Sequence, residues 1–296
     1  MLLARSQQSN TGVIFRRGPS AWVQMIHWDT KNDVFTSGQW LRGKIHAHKC
    51  DLSPNGKLLI YLASKSGNSY RNPDYGNAWT AISKPPYFTA LGLWTYYRNT
   101  DIGGGGYFRR NDEVWVNHLD DNTTPHPKHQ PKHITVRYPN EYTYERELYN
   151  HLLRLNQWKP VVLRDPAKHQ RPTEWIKGKY YPKISAKYIW NKTRDRFTLV
   201  QKIYPERDAW WKYPYGYFEV REYEYAVSID ESDEEIKLDG TTWADFDHRG
   251  RLVIAKDGTL FTAATTTQGE ISFTELADFN ANKPEQVKTP SWARQW

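Results

Sequence analysis

The amino-acid sequence predicts an all-β fold in which one small sheet unit is used more than once. Three observations predict it: an internal echo, an unusual content of aromatic rings, and a succession of short strands broken by turn residues. In the echo, Asp51-Leu-Ser-Pro-Asn-Gly56-Lys57-Leu58-Leu-Ile60 returns 194 positions later as Asp245-Phe-Asp-His-Arg-Gly250-Arg251-Leu252-Val-Ile254, with Asp, Gly, a basic residue, Leu and Ile in the same register. Self-similarity of this kind marks a supersecondary unit that buries its apolar face by stacking on its neighbours. The 296 residues are only 38% hydrophobic yet 15% aromatic, with 14 Trp and 20 Tyr. Amphipathic rings of that kind both pack and hydrogen-bond, and they favour strands.

The elements follow in order. Runs at 12–15, 21–28, 34–40, 44–50, 57–63, 78–83 and 88–96 are apolar or alternating, and Arg-Gly-Pro, Thr-Lys-Asn-Asp, Pro-Asn-Gly and Lys-Pro-Pro separate them. Seven strands in that span imply meandering sheets. In the first copy of the echo, Pro54 sets its own φ and Gly56 supplies a positive one, so that Leu58 and Ile60 face one side of the returning strand. Gly103 to Gly106 precedes a strand at 113–117, and 118–133 reads as a loop rich in His, Pro and Lys. Leu148, Leu152 and Leu155 recur at helical spacing, which predicts one inserted helix over 143–158. Beyond it, 188–190 and 196–203 form a hairpin around Asn-Lys-Thr-Arg-Asp, 217–229 is a long alternating strand, and 259–264 and 270–275 close the chain.

Asp-x-Ser-Pro-x-Gly-Lys-Leu followed by a β-run resembles the blade motif of β-propellers of the TolB-like and WD-repeat kind, in which it joins two neighbouring strands of one blade. The resemblance covers about ten residues, twice. It implies an irregular β-propeller of about five or six short-sheet blades, with residues 1–296 as a single domain. At a period of about 40–45 residues the two copies would stand four or five blades apart. Strand 12–15 is available to complete the last blade. The motif implies nothing about activity, since one architecture hosts many functions.

Composition bounds the compartment and partners. A single cysteine, Cys50, excludes an internal disulfide and fits a reducing compartment. The first residues lack the apolar stretch of about 7–15 residues of a secretory signal, and no uncharged run approaches the roughly 18 residues that would span a bilayer. A cytoplasmic protein is expected. A net charge of +8 favours an acidic or polyanionic partner. It is concentrated: residues 154–213 carry 15 Lys and Arg against 5 Asp and Glu, interleaved with rings, whereas residues 219–240 carry 9 acids and 2 bases. Cations that neutralise phosphate beside stacking rings suit nucleic acid, and the same rings serve equally as core.

Chemistry-bearing residues are few. On a strand, His46, His48 and Cys50 would project from one face and suit zinc, though no fourth ligand is visible and Lys44 and Lys49 adjoin them. His118, His126, His129 and His133 fall in the expected solvated loop. Glu222 and Glu224 share a strand face, as a glycosidase pair would. Gly103–Gly106 lacks the Gly-Lys-Ser/Thr of a phosphate loop, and no cofactor motif is present. The expectation is therefore a non-catalytic interaction module, a protein-binding scaffold or adaptor. Its contact residues would be Trp175, Tyr180, Tyr181, Arg207, Trp210 and Trp211, because clustered Trp, Tyr and Arg dominate binding energy. Nucleic-acid binding through 154–213 is the first alternative, and a hydrolase or lyase using Glu222, Glu224 or His46 is the second.

Overall fold

The computed structural model describes residues 1–5, 9–65, 76–96, 100, 103–118, 123–140, 145–162, 170–171, 174–176, 179–181, 184–186, 188–204, 222–230, 232, 234–265 and 270–296, with the backbone alone described for 170–185 and at 96, 145 and 222. The chain is mostly β and forms two compact units, one of Met1–Leu152 with Asp278–Trp296 and one of Leu153–Ala277.

The first unit holds three sheets. β1 (Leu2–Leu3), β2 (Thr11–Arg17), β3 (Trp22–Asp29) and β4 (Val34–Arg42) make an antiparallel meander. Strand 12–15 therefore belongs to the first sheet, against the expectation that it completes the last. In the second sheet, β5 (Lys44–Ile45) and β6 (Asp51–Leu52) lie along one side of β7 (Leu59–Ser64), followed by β8 (Ala78–Ser83) and β9 (Gly92–Tyr96). The expected single strand 44–50 is thus broken, and a 3-10 turn at Ala47–Lys49 occupies the gap. The third sheet comprises β10 (Gly106–Arg110), β11 (Glu113–Val116) and β12 (Thr135–Arg137), with β12 parallel to β11.

Burial explains how these sheets stack. Leu59 to Ala63 of β7 are all buried, so both faces of that strand are covered. Leu59, Tyr61 and Ala63 pack with Val13 and Met25 of the first sheet, while Ile60 joins Ile82, Trp94, Phe108, Val114 and Val116, which brings in the third sheet. The second sheet is consequently sandwiched, and period-2 alternation sends its side chains into two different cores. The helix α1 (Glu145–Leu155) follows, ending three residues before the predicted 158, with residues 143 and 144 outside the described residues and Leu148, Leu152 and Leu153 buried.

The second unit begins with β13 (Lys159–Pro160), then two short ladders formed by β14 (Gln170–Arg171), β15 (Glu174–Ile176), β16 (Lys179–Tyr181) and β17 (Ile184–Ser185), in which β14 pairs with β17 and β15 with β16. β18 (Tyr188–Arg194), β19 (Phe197–Tyr204), β20 (Glu222–Ile229) and β21 (Ile236–Lys237) continue from β13 as a five-stranded antiparallel sheet in the order β13-β18-β19-β20-β21. The predicted 188–203 hairpin is present; of the predicted strand 217–229, residues 217–221 lie outside the described residues. β22 (Thr241–Phe246), β23 (Leu252–Lys256), β24 (Thr259–Thr265) and β25 (Ile271–Asp278) form the last meander from consecutive strands. Among the described residues, no helix is long and apolar enough to cross a membrane.

The two copies of the echo occupy equivalent corners. Each joins the first strand of a four-strand meander to the second: β6 to β7, and β22 to β23. Gly56 (φ +73°) and Gly250 (φ +85°) both take the left-handed conformation, and each donates its N–H to the residue three before it, Ser53 and Asp247. Asp51 pairs across with Ile60 and Asp245 with Val253, so the first loop is one residue longer.

Candidate binding face

The third sheet presents the clearest concentration of binding chemistry among the described residues. Alternation along its strands turns Phe108, Val114, Val116 and Val136 to the core and leaves Tyr107, Arg109, Glu113, Trp115, Thr135 and Arg137 on the opposite face. Register then sets their order: Tyr107 lies opposite Trp115, and Trp115 opposite Arg137. Tyr107 and Trp115 stack at 6.1 Å between centroids with planes 4° apart, and His151 of α1 approaches the Tyr107 ring to 4.3 Å. Burial pushes the Tyr107 hydroxyl above its usual range, partly offset by the positive charge of Arg109.

Beside the rings, three guanidinium groups converge on one carboxylate. The register between β10 and β11 slips between Phe108 and Arg110, a bulge that sets two consecutive residues against one partner. Arg109 and Arg110 therefore both reach Glu113, at 3.9 and 3.2 Å, and Arg137 reaches it from β12 at 3.5 Å. The Glu113 side chain is 6% exposed, whereas those of Arg109, Arg110 and Arg137 are 67%, 68% and 59% exposed. The exposed Asp112 lies 3.6 Å from Arg110 Nε. A buried carboxylate thus anchors three cations whose remaining donors are open to solvent.

This face was not legible as a site. Arg109 and Arg110 are separated from Arg137 by strand β11 and the long connection that follows it, and no charge run in the sequence links them. A parallel pairing of β12 onto β11 brings them together.

The residues singled out from sequence fare differently. Trp175 and Tyr180 are cross-strand partners in the β15–β16 ladder, and Tyr181 pairs with Glu174, by backbone register. Arg207, Trp210 and Trp211 lie outside the described residues. Elsewhere in the 154–213 block Trp158, Trp190 and Tyr204 are buried, with the Arg154 guanidinium 5.3 Å from the Trp190 centroid, while Tyr188 and Phe197 are half-buried. Those three buried rings take the core side of the two readings that the sequence left open.

His46, His48 and Cys50 do not share a strand face, because the 3-10 turn rotates His48 out of any alternation. His46 Nε2 lies 2.9 Å from Ser64 Oγ, and the Cys50 thiol donates to the His46 carbonyl at 3.1 Å. Desolvation pushes that thiol up to about 12. Among the described residues no group of three or more His, Cys, Asp or Glu is arranged to hold a metal. His118, expected in a solvated loop, is instead buried with its Nε2 2.8 Å from Thr80 Oγ1, and Thr80 Oγ1 also accepts the Gly105 N–H at 2.8 Å. The neighbouring Lys49, with no exposed surface, donates to the carbonyls of Gly103 (2.9 Å) and Thr100. These groups pin the glycine loop: a Cβ on Gly105 would stand 2.2 Å from the Lys49 carbonyl oxygen. His126 and His129 sit with rings 5.5 Å apart, His129 Nδ1 lying 3.0 Å from the Ala90 carbonyl, and His133 is exposed.

By backbone register Glu222 and Glu224 stand two residues apart on β20, opposite Tyr204 and Lys202. The Glu224 carboxylate accepts from Tyr204 Oη at 3.2 Å and pairs with Lys237 at 3.4 Å. Those two belong to the second unit and His46 to the first. No protein-family model matches the chain, and no curated protein matches it in sequence.

Proposed function

We propose that this chain is a non-catalytic macromolecular interaction module, a protein-binding scaffold or adaptor acting in the cytoplasm on an irregular β-propeller of about five or six blades. Several observations support the propeller reading. Two four-strand meanders carry the same Asp/Gly corner between their first and second strands. In the first unit, three short sheets stack face to face with the middle one buried on both sides. Repetition of one sheet unit around shared cores is how such assemblies bury apolar surface.

The observation that carries the functional part is the outer face of the third sheet. Three exposed arginines beside a Tyr–Trp stack reproduce the residue types that dominate binding energy in protein interfaces. Guanidinium forks held by a buried carboxylate make strong, directional contacts with acidic groups. The test is affinity purification from the native host with the wild-type chain and an Arg109→Glu/Arg110→Glu/Arg137→Glu variant. A stoichiometric partner retained by the first and lost by the second, at equal melting temperature, is the expected result. Recovery of no such partner, or the same partner on both chains, contradicts it.

A further inference from the structure

We infer that the arginine cluster of the third sheet binds a phosphorylated serine or threonine in a segment of the partner protein. The inference rests on the interaction-module reading and names the chemistry that the module would recognise. Its basis is convergence. Arg109, Arg110 and Arg137 all lie within 3.9 Å of the single Glu113 carboxylate, so their charge is gathered at one point of the sheet. A polynucleotide requires cations strung along its backbone. A point cluster fits a compact dianion.

The charges match in sign and size. Three guanidinium groups less the one buried carboxylate leave a local excess of two positive charges, which the 72%-exposed Asp112 only partly cancels. A phosphorylated hydroxyl carries about −1.5 to −2 at neutral pH and offers three acceptor oxygens. Arginine's planar fork meets such oxygens in pairs, which a lysine ammonium does not. Arg137 contacts Glu113 through Nε and Arg109 through Nη1, and both side chains are more than half exposed, at 59% and 67%. Glu113, being 6% exposed, stays in place as the anchor. Its hold on the three side chains lowers the ordering entropy that phosphate binding would otherwise cost. Recognition of phosphorylated motifs by arginine clusters is a general mode of this kind.

The test uses the full chain and a degenerate peptide library with a central phosphoserine, together with its serine and glutamate twins and an oligothymidylate, in fluorescence anisotropy. The phosphoserine pool should bind at least about tenfold tighter than the glutamate twin, because phosphate adds charge and a third acceptor oxygen. Arg109→Ala/Arg110→Ala/Arg137→Ala should abolish that preference. Arg109→Lys/Arg110→Lys/Arg137→Lys keeps the charge and removes the fork; it should lose most of the preference, and it carries the test if the alanine chain does not fold. Equal binding of the phosphoserine and glutamate pools, wild-type preference in the lysine chain, or stronger binding of oligothymidylate would each overturn the inference. A native partner that needs the arginines but survives phosphatase treatment would also overturn it while leaving the interaction-module reading intact. Absence of any arginine-dependent partner would remove that reading itself.

Discussion

The corner at Asp51–Gly56 and the corner at Asp245–Gly250 are built alike, yet they are tied to their surroundings to different degrees. Asp51 takes two bonds from Arg5 Nη1, at 2.6 and 2.7 Å, and one from the Phe108 N–H of the third sheet at 2.8 Å. Arg5 itself also donates to the Phe108 carbonyl. The second-sheet aspartate is thereby fastened to the chain that leaves β1 and to β10. Asp245 accepts from Lys192 of β18 at 2.6 Å and from Trp158 Nε1 at 3.3 Å, both on the side of the preceding sheet, and from the neighbouring Phe246 N–H. The repeated aspartate is therefore an inter-sheet staple, and the echo that dominates the sequence is a structural device.

The residue before each aspartate is buried as well, Cys50 in one corner and Ala244 in the other, each 1% exposed. This gives the largest effect with which to probe the comparison. With its pKa near 12, the folded thiol at pH 8 should be alkylated about three orders of magnitude more slowly than a thiol at the ordinary value near 8.5. Iodoacetamide labelling of Cys50, folded against urea-unfolded, measures this directly. Comparable rates would mean that the first corner is open. Cys50→Ala converts it to the second corner's composition and should cost less than removing either aspartate.

The staples themselves should differ next. Asp51→Ala leaves the Arg5 guanidinium, 13% exposed, and the Phe108 N–H without their acceptor. Breaking a buried pair in this way costs about 3–5 kcal/mol. Asp245→Ala frees Lys192, 17% exposed, whose flexible stem reaches water more easily, so a loss of about 1–3 kcal/mol is expected. Urea unfolding of the two variants checks the order. Equal losses would show that the corner tied on both sides gains nothing from its second neighbour.

The glycines give a smaller contrast. Alanine in the left-handed region costs roughly 1–2 kcal/mol in either place. At Gly56 the new Cβ would also stand 2.5 Å from Thr11 Cβ, which is held close to the β2 backbone, whereas at Gly250 it meets the movable Arg194 Nε at 2.9 Å. Gly56→Ala should therefore lose about 1–3 kcal/mol more than Gly250→Ala. A larger loss at Gly250 would contradict the packing described for the first corner.

What was legible in the sequence follows the same physics. Period-2 runs and turn residues located β2, β3, β7 and β8 closely, because each of these strands has at least one buried face, and located β4, whose one buried residue is Gly38, from its alternation and flanking turns. The broken strand at 44–50 was not legible, since His46, His48 and Cys50 alternate perfectly, while the 3-10 turn is accompanied by a long-range bond from Lys49 to Gly103 and a local one from the Cys50 thiol to the His46 carbonyl. The binding face was hidden for a different reason. Composition points to 154–213, where Trp158 and Trp190 prove to be core, while the arginines that do gather come from β10 and β12 and meet only through strand pairing. Charge runs report what is near in sequence, and a sheet assembles what is not.

The smallest contrast lies in how each turn is capped. In the first corner Ser53 Oγ accepts the Leu58 N–H at 2.9 Å; in the second, Asp247 Oδ1 accepts from Arg249 N and Arg251 N at 2.9 Å each, and Oδ2 takes Arg251 Nε at 2.8 Å. Bonds to a charged acceptor are worth about twice those to a neutral one. Ser53→Ala should then cost about 1 kcal/mol and Asp247→Ala about 2. Asp247→Ser, which borrows the first corner's cap, should recover roughly half of the Asp247→Ala loss, because a hydroxyl can still accept one of the two N–H groups. If the serine variant is as unstable as the alanine one, the two caps are not interchangeable, and the equivalence of the corners stops at their backbone.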